Sequence, residues 1–107
     1  MGNYMSDAPV YMVVNLTIED TEEYGKYVKG FFDLLKKYGG SFMGYDDNVE
    51  NFEGFSPRNG RMVIFSFPSE EVAKNWYADT EYQALSEYRR AGTRLDFLTM
   101  VRGVPPS

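Results

Sequence analysis

Two arginines are the residues of this sequence with the most specific capacity for binding a ligand. Arg61 directly precedes a strongly apolar run, and Arg89 lies in a helical pattern near the end of the chain. A guanidinium is a permanent cation with a planar fork of donors that matches a carboxylate. Each arginine could therefore orient an organic anion in a cleft between helices and sheet. The alternative is an internal ion pair with Glu50 or Glu53, because structural salt bridges are common.

Several aromatic side chains fall at helical spacing and could line a pocket. Tyr24 and Tyr27 belong to a first helical pattern, and Trp76, Tyr77 and Tyr82 belong to later ones. Small-molecule pockets are mostly apolar and aromatic, with few polar groups. Aromatics at this spacing also pack ordinary cores, so core packing is the alternative for each of them.

A cluster of four acids could form a metal site or an acid–base pair, since hard cations favour oxygen ligands. The four are Asp46, Asp47, Glu50 and Glu53. Their spacing matches no ligand loop. A negatively charged strand edge that resists aggregation is the better interpretation. We therefore expect no metal site.

Missing residue types narrow the chemistry further. The chain has no Cys, which excludes disulfides and thiolate ligands, and no His, which removes the usual general base and the usual zinc and haem ligand. An enzyme built from this chain would use an arginine to orient an anion, aromatics to exclude water, and a carboxylate such as Glu50 or a tyrosine to move protons. We expect no resident cofactor, which leaves a borrowed one as the alternative.

Charge and hydropathy limit the partners. The net charge of −5 opposes binding to a nucleic-acid backbone, and this outweighs a faint likeness of the strand after Asn59 to the aromatic strand of RNA-binding modules. No apolar run approaches membrane-spanning length, and the N-terminal residues lack a signal-peptide pattern. These features predict a cytoplasmic protein that binds neither nucleic acid nor a membrane.

The length of 107 residues, with 43% hydrophobic residues, predicts one domain over residues 1–107, with a flexible segment 1–8 and a tail 105–107. Hydrophobic periodicity then predicts the elements. They are a strand over 10–18, a helix from a capping box at Asp20 and Glu23 to Gly39, strands over 41–53 and 61–67, a helix capped by Ser69, a short helix over 81–90 and a strand over 95–104.

This order is βαββαβ, the ferredoxin-like α+β arrangement, in which the helices cover one face of a four-stranded antiparallel sheet. The other face of such a sheet is normally polar in a monomer. Here Met62 and Ile64 alternate with Val63, and we expect Leu95 and Phe97 together on one face of the sheet. Both faces are therefore apolar, which predicts a homodimer, a dimeric α/β barrel closed through the open faces.

Several strings resemble the bacterial family catalogued as domain of unknown function 1330, within the dimeric α/β-barrel group. The resemblance covers nearly the whole domain, and its most specific part is Trp76-Tyr77 followed by Glu81-Tyr82-Gln83-Ala84-Leu85. The segment Asp46-Asp47-Asn48 departs from relatives, which tend to have a glycine-bearing segment there. The remaining marks are Asp20 with Tyr24 and Tyr27, Tyr38-Gly39-Gly40, Glu53-Gly54, Arg61 leading into Val63 to Ser69, Ala73 and Arg89.

The resemblance implies a ferredoxin-like fold and a homodimer, and it implies no established activity, substrate or catalytic residue. The wider barrel group includes haem-degrading monooxygenases and muconolactone isomerases, so the fold does not select a reaction. Two functions stay open. One is a homodimeric small-molecule-binding protein, with or without enzymatic activity on a small organic acid or aromatic metabolite, and the other is a non-catalytic dimerisation or protein-interaction module.

Overall fold

A four-stranded antiparallel sheet carries three helices on one face in the computed structural model, which describes residues 8–105. Across the sheet, the second strand of the chain lies at one edge and is followed by the third, the first and the fourth, which confirms the predicted ferredoxin-like α+β fold. Apart from Ala8 and Pro105, the predicted flexible segment and tail lie outside the described residues. The elements are β1 (Val10–Ile18), α1 (Thr21–Lys37), β2 (Ser41–Asp46), β3 (Arg61–Phe67), α2 (Glu70–Ala78), α3 (Thr80–Gly92) and β4 (Thr93–Arg102).

The core lies between the helices and the inward face of the sheet. Alternate residues of β1, from Val10 to Leu16, are buried there because successive strand side chains point to opposite faces. Val63, Phe65 and Phe67 of β3 pair with β1 on this same face. Among residues 8–105, no helix is both long and apolar enough to cross a membrane.

The second strand is shorter than the sequence predicts. It was expected over 41–53 but ends at Asp46, whose carboxylate accepts a hydrogen bond from the backbone N–H of Asn48 and turns the chain. The loop that follows is held closed by Asn51, whose side chain bonds the backbone N–H and C=O of Arg58. Residues 47–53 are therefore part of a structured loop and not of the sheet.

A bulge changes the face on which Leu95 lies. Asn15 pairs with Phe97 while the next residue, Leu16, pairs with Leu95, so Asp96 is an extra residue. Leu95 consequently joins the helix-covered face, and the prediction that it lies on the same face as Phe97 is wrong. On the open face Asn15 is fully buried, since the loop before β3 covers it and Arg58 bonds its side chain.

The start of α1 is fixed against the end of α3. The Asp20 carboxylate accepts hydrogen bonds from the N–H groups of Glu22 and Glu23, which confirms the predicted cap. The return half of the capping box does not form, because the Asp20 N–H donates to the Gly92 carbonyl. A Cβ at Gly92 would lie 2.8 Å from the backbone nitrogen of Tyr24, so the two helix ends touch through glycine. This contact brings Tyr24 close to the last turns of α3.

Candidate functional site

A cavity of about 200 Å³ lies between the sheet and helices α1 and α3. Apolar side chains of the three strands β1, β3 and β4 form its floor, and aromatic side chains of α1 form one wall. An apolar cavity of about 150 Å³ can hold benzene, so this one has room for a single substituted ring. Its lining is Val14, Leu16, Tyr24, Tyr27, Val28, Phe31, Phe32, Phe42, Tyr45, Arg61, Val63, Phe65, Tyr82, Arg89, Leu95 and Leu98.

The cavity brings together both candidate arginines and three of the candidate tyrosines. Tyr24, Tyr27 and Tyr82 line it with Arg61 and Arg89. These residues come from α1, β3 and α3, so their proximity depends on the packing of three separate elements.

The other candidates lie elsewhere. Trp76 is fully buried in the core, where its ring lies 4.0 Å from that of Tyr82, as the core-packing alternative states. Tyr77 is half-exposed and lines a separate cleft. Glu50 and Glu53 are exposed in the loop after β2 and line neither space. Within residues 8–105, no three acidic side chains come close enough to hold a metal ion.

Arg61 lies at the mouth of the cavity and is already paired. Its Nε and Nη2 donate to the two carboxylate oxygens of Asp47 at 2.7 and 2.9 Å, and its guanidinium carbon lies 4.3 Å from the centre of the Tyr45 ring. The sequence suggested Glu50 or Glu53 as the partner. Asp47 takes that place because it follows Asp46, which is opposite Met62 in the β2–β3 register. The hydrogen bond from Arg61 lowers the pKa of Asp47.

Arg89 lies on the inner wall and has no counterion in the described part of the chain. It shares a buried stripe of α3 with Tyr82 and Ser86, and only 4% of its surface is exposed. No carboxylate among residues 8–105 lies within salt-bridge distance of its guanidinium, and its Nε makes no hydrogen bond. Burial of an unpaired charge costs roughly several kcal/mol, even after the surrounding protein has relaxed around it. The cavity therefore contains a buried cation that no anion of residues 8–105 neutralises.

Tyrosine hydroxyls supply neutral donors beside this cation. The hydroxyls of Tyr27 and Tyr82 are 2.7 Å apart and buried, and the Arg89 guanidinium carbon lies 5.7 Å from the centre of the Tyr27 ring. Burial raises the pKa of Tyr27 well above its usual value, and the adjoining Tyr82 adds to this rise. Burial also raises the pKa of Tyr24, which Arg61 opposes. Tyr24 and Tyr27 are thus protonated at neutral pH and can donate hydrogen bonds to an oxygen of a ligand.

Sequence reasoning missed several lining residues. Val28 and Phe31 continue the stripe of Tyr24 and Tyr27 on α1, and helical periodicity was a sufficient signal for both. Tyr45 had no such signal, because the register of β2 shifts at a bulge between Phe42 and Gly44.

The chain is similar to a family and to several solved structures. The family described as Domain of unknown function (DUF1330) matches residues 9–104. The RPA0582 protein of unknown function from Rhodopseudomonas palustris is 15% identical, with a TM-score of 0.70 over 94% of this chain and 85% of that one. No curated protein matches the sequence.

Two further structures share the fold. SnoaB, a cofactor-independent oxygenase from Streptomyces nogalater, is 12% identical, with a TM-score of 0.65 over 92% of this chain and 96% of that one. A DABB-family protein with a ferredoxin-like fold from Mesorhizobium loti is 12% identical, with a TM-score of 0.57 over 94% and 99%. At these identities the likeness extends to the fold alone.

Proposed function

We propose that this chain, which belongs to the family described as Domain of unknown function (DUF1330), is a homodimeric protein that binds a small organic acid through a carboxylate and an aromatic ring. The binding site is the cavity between α1, α3 and the sheet. The ring occupies the apolar volume, and the carboxylate binds Arg89.

The unpaired Arg89 is the observation that supports this proposal. An apolar cavity alone would suit any small hydrophobic molecule, but a buried guanidinium selects an anion. A carboxylate there would convert an unfavourable buried charge into a hydrogen-bonded pair. The neighbouring hydroxyl of Tyr27, held by Tyr82, offers a further donor.

Binding is the proposed role, and the lining groups do not supply an obvious base for a reaction. Glu50, which the sequence offered as a proton carrier, is exposed in the loop outside the cavity. The raised pKa of Tyr27 keeps its phenol neutral. SnoaB, described as a cofactor-independent oxygenase, shows that a protein with this fold can be an enzyme. For this chain we expect orientation and desolvation of an anion.

Association through the open sheet face is the second part of the proposal. Ile64 and Val101 on this face are 39% and 47% exposed, and the loop aromatics Phe52 and Phe55 are 85% and 106% exposed. Exposed apolar surface of this kind is typical of protein–protein interfaces. The same residues favour the competing function, a dimerisation or interaction module without a ligand.

Native mass spectrometry, followed by a thermal-shift screen, separates the two functions. The proposal predicts a dimer, and one-ring carboxylates such as phenylacetate should raise the melting temperature. At a concentration about a hundred times the dissociation constant, the gain is about 2.7 kcal/mol, or on the order of 10 °C for a domain of this size. The neutral isostere phenylacetamide is the matched control and should have little effect. A dimer that responds to neither compound would favour the interaction module, and a monomer would contradict the interface.

A further inference from the structure

A second space lies on the other side of Arg89. It is an open cleft of about 550 Å³ between α2, the end of α3 and the inward face of β4. Lys74 and Tyr77 from α2 and Met100 from β4 line this cleft and not the cavity described above. Arg89 lines both spaces, so its side chain is part of the wall between them.

The two spaces share more than the arginine. Leu95 and Leu98 also line both spaces, so together with Arg89 they form the partition between the cavity and the cleft. Leu95 reaches this position through the bulge at Asp96, which turns it from the open face toward the helices. The partition is therefore apolar except at its one cation.

The chemistry of the cleft suits an apolar group next to an anion. Lys74, Arg89 and Arg90 are its charged lining residues, and no carboxylate lines it. Lys74 is paired with Glu70 at 2.7 Å and Arg90 with Glu87 at 2.9 Å, so Arg89 is the lining cation that has no carboxylate partner within residues 8–105.

Apolar surface is also uncovered in this cleft. Leu95 and Tyr77 are 40% and 43% exposed, and both face a space wide enough for a ring. Water contact with these side chains is unfavourable, and an apolar ligand group would remove it. The cleft, like the cavity, therefore has an apolar part to its lining, and it is the more open of the two spaces.

We propose that the ligand is an organic acid with two apolar rings, whose carboxylate binds Arg89 and whose rings lie one in the cavity and one in the cleft. The shared wall of Arg89, Leu95 and Leu98 requires the acid group to lie between the rings. This inference rests on the proposed function, because it uses the same anion site, and it specifies the class of acid.

Isothermal titration with two acids tests the inference. Phenylacetate offers one ring, and diphenylacetate offers two rings on the carbon that bears the carboxylate. We expect diphenylacetate to bind at least about tenfold more tightly, since a second buried ring contributes more than the 1.4 kcal/mol that a tenfold change requires. Tyr77→Ala should weaken diphenylacetate about fivefold or more by removing one wall of the cleft, and should leave phenylacetate unchanged.

Controls make the outcomes distinguishable. Tyr88→Ala removes another half-exposed tyrosine that lines neither space and should change neither affinity. Met100→Trp fills the cleft from the strand side and should also weaken the binding of diphenylacetate. This variant replaces Tyr77→Ala in the test if Tyr77→Ala fails to fold. Equal affinities for the two acids, unaffected by the cleft variants, would overturn the inference and leave the proposed function standing. Failure of both acids to bind would overturn both.

Discussion

The two arginines of the cavity lie in opposite electrostatic situations. Arg61 at the mouth has a bidentate partner in Asp47, whose side chain is 58% exposed, and its charge is balanced within the protein. Arg89 on the inner wall is buried without a counterion among residues 8–105. The same residue type therefore has two different electrostatic environments in one cavity. Arg61 is neutralised by a partner at the surface, whereas Arg89 is buried with no such partner among residues 8–105, and it is there that we propose a ligand binds.

The largest effect on stability should come from removal of the unpaired charge. Arg89→Met replaces a buried cation with an apolar side chain of similar length, and should raise the free energy of unfolding by about 1–4 kcal/mol in the absence of ligand. Urea denaturation measures this change. Arg90→Met is the matched control on the same helix, and should change stability by less than about 1 kcal/mol because that arginine is exposed and paired. A marked loss of stability in Arg89→Met would show that Arg89 is a structural residue.

A smaller effect of opposite sign should follow from breaking the tyrosine pair. Tyr82→Phe leaves the buried hydroxyl of Tyr27 without its partner, and should lower the free energy of unfolding by about 1–3 kcal/mol. The double variant with Tyr27→Phe should lose less than the sum of the two single changes, because neither hydroxyl is then left unsatisfied. Chemical denaturation of the four proteins tests this, and additive losses would contradict it.

The smallest effect should come from the paired arginine. Asp47→Asn should lower stability at neutral pH by less than about 1 kcal/mol, because the pair is largely exposed. Arg61 lowers the pKa of Asp47 below its usual 3.8 in the folded protein. This contribution is present above the usual pKa and disappears as the pH falls through the lowered value. The difference between wild type and Asp47→Asn should therefore shrink between pH 5 and pH 2 in urea titrations, and a constant difference would contradict the pairing.

Much of the fold was predictable, because its determinants are local. The alternation from Val10 to Leu16 indicated β1, and the apolar run after Arg61 indicated β3, with the bounds the structure shows. The start of β2 at Ser41 was correct, but its end was wrong because the turn at Asp46 depends on a side-chain hydrogen bond and not on hydrophobicity. The face of Leu95 was wrong because a bulge adds one residue to β4 relative to β1.

The candidate site was predictable only in part. Arg61 and Arg89 stood out by residue type, yet the sequence could not distinguish them. The partner of Arg61 depends on the β2–β3 register, which places Asp47 across from it. The isolation of Arg89 depends on every element packed around it, since a missing neighbour has no signal in the local sequence.

The most direct test of the account is calorimetric titration of phenylacetate into the wild-type protein, Arg89→Met and Arg61→Met. We predict measurable binding to wild type, a loss of about a hundredfold in Arg89→Met, which corresponds to about 2.7 kcal/mol, and a change below about fivefold in Arg61→Met. The last follows because Asp47 already neutralises Arg61. Binding to Arg89→Met with wild-type affinity, or a larger loss in Arg61→Met, would contradict the claim that the unpaired arginine is the anion site.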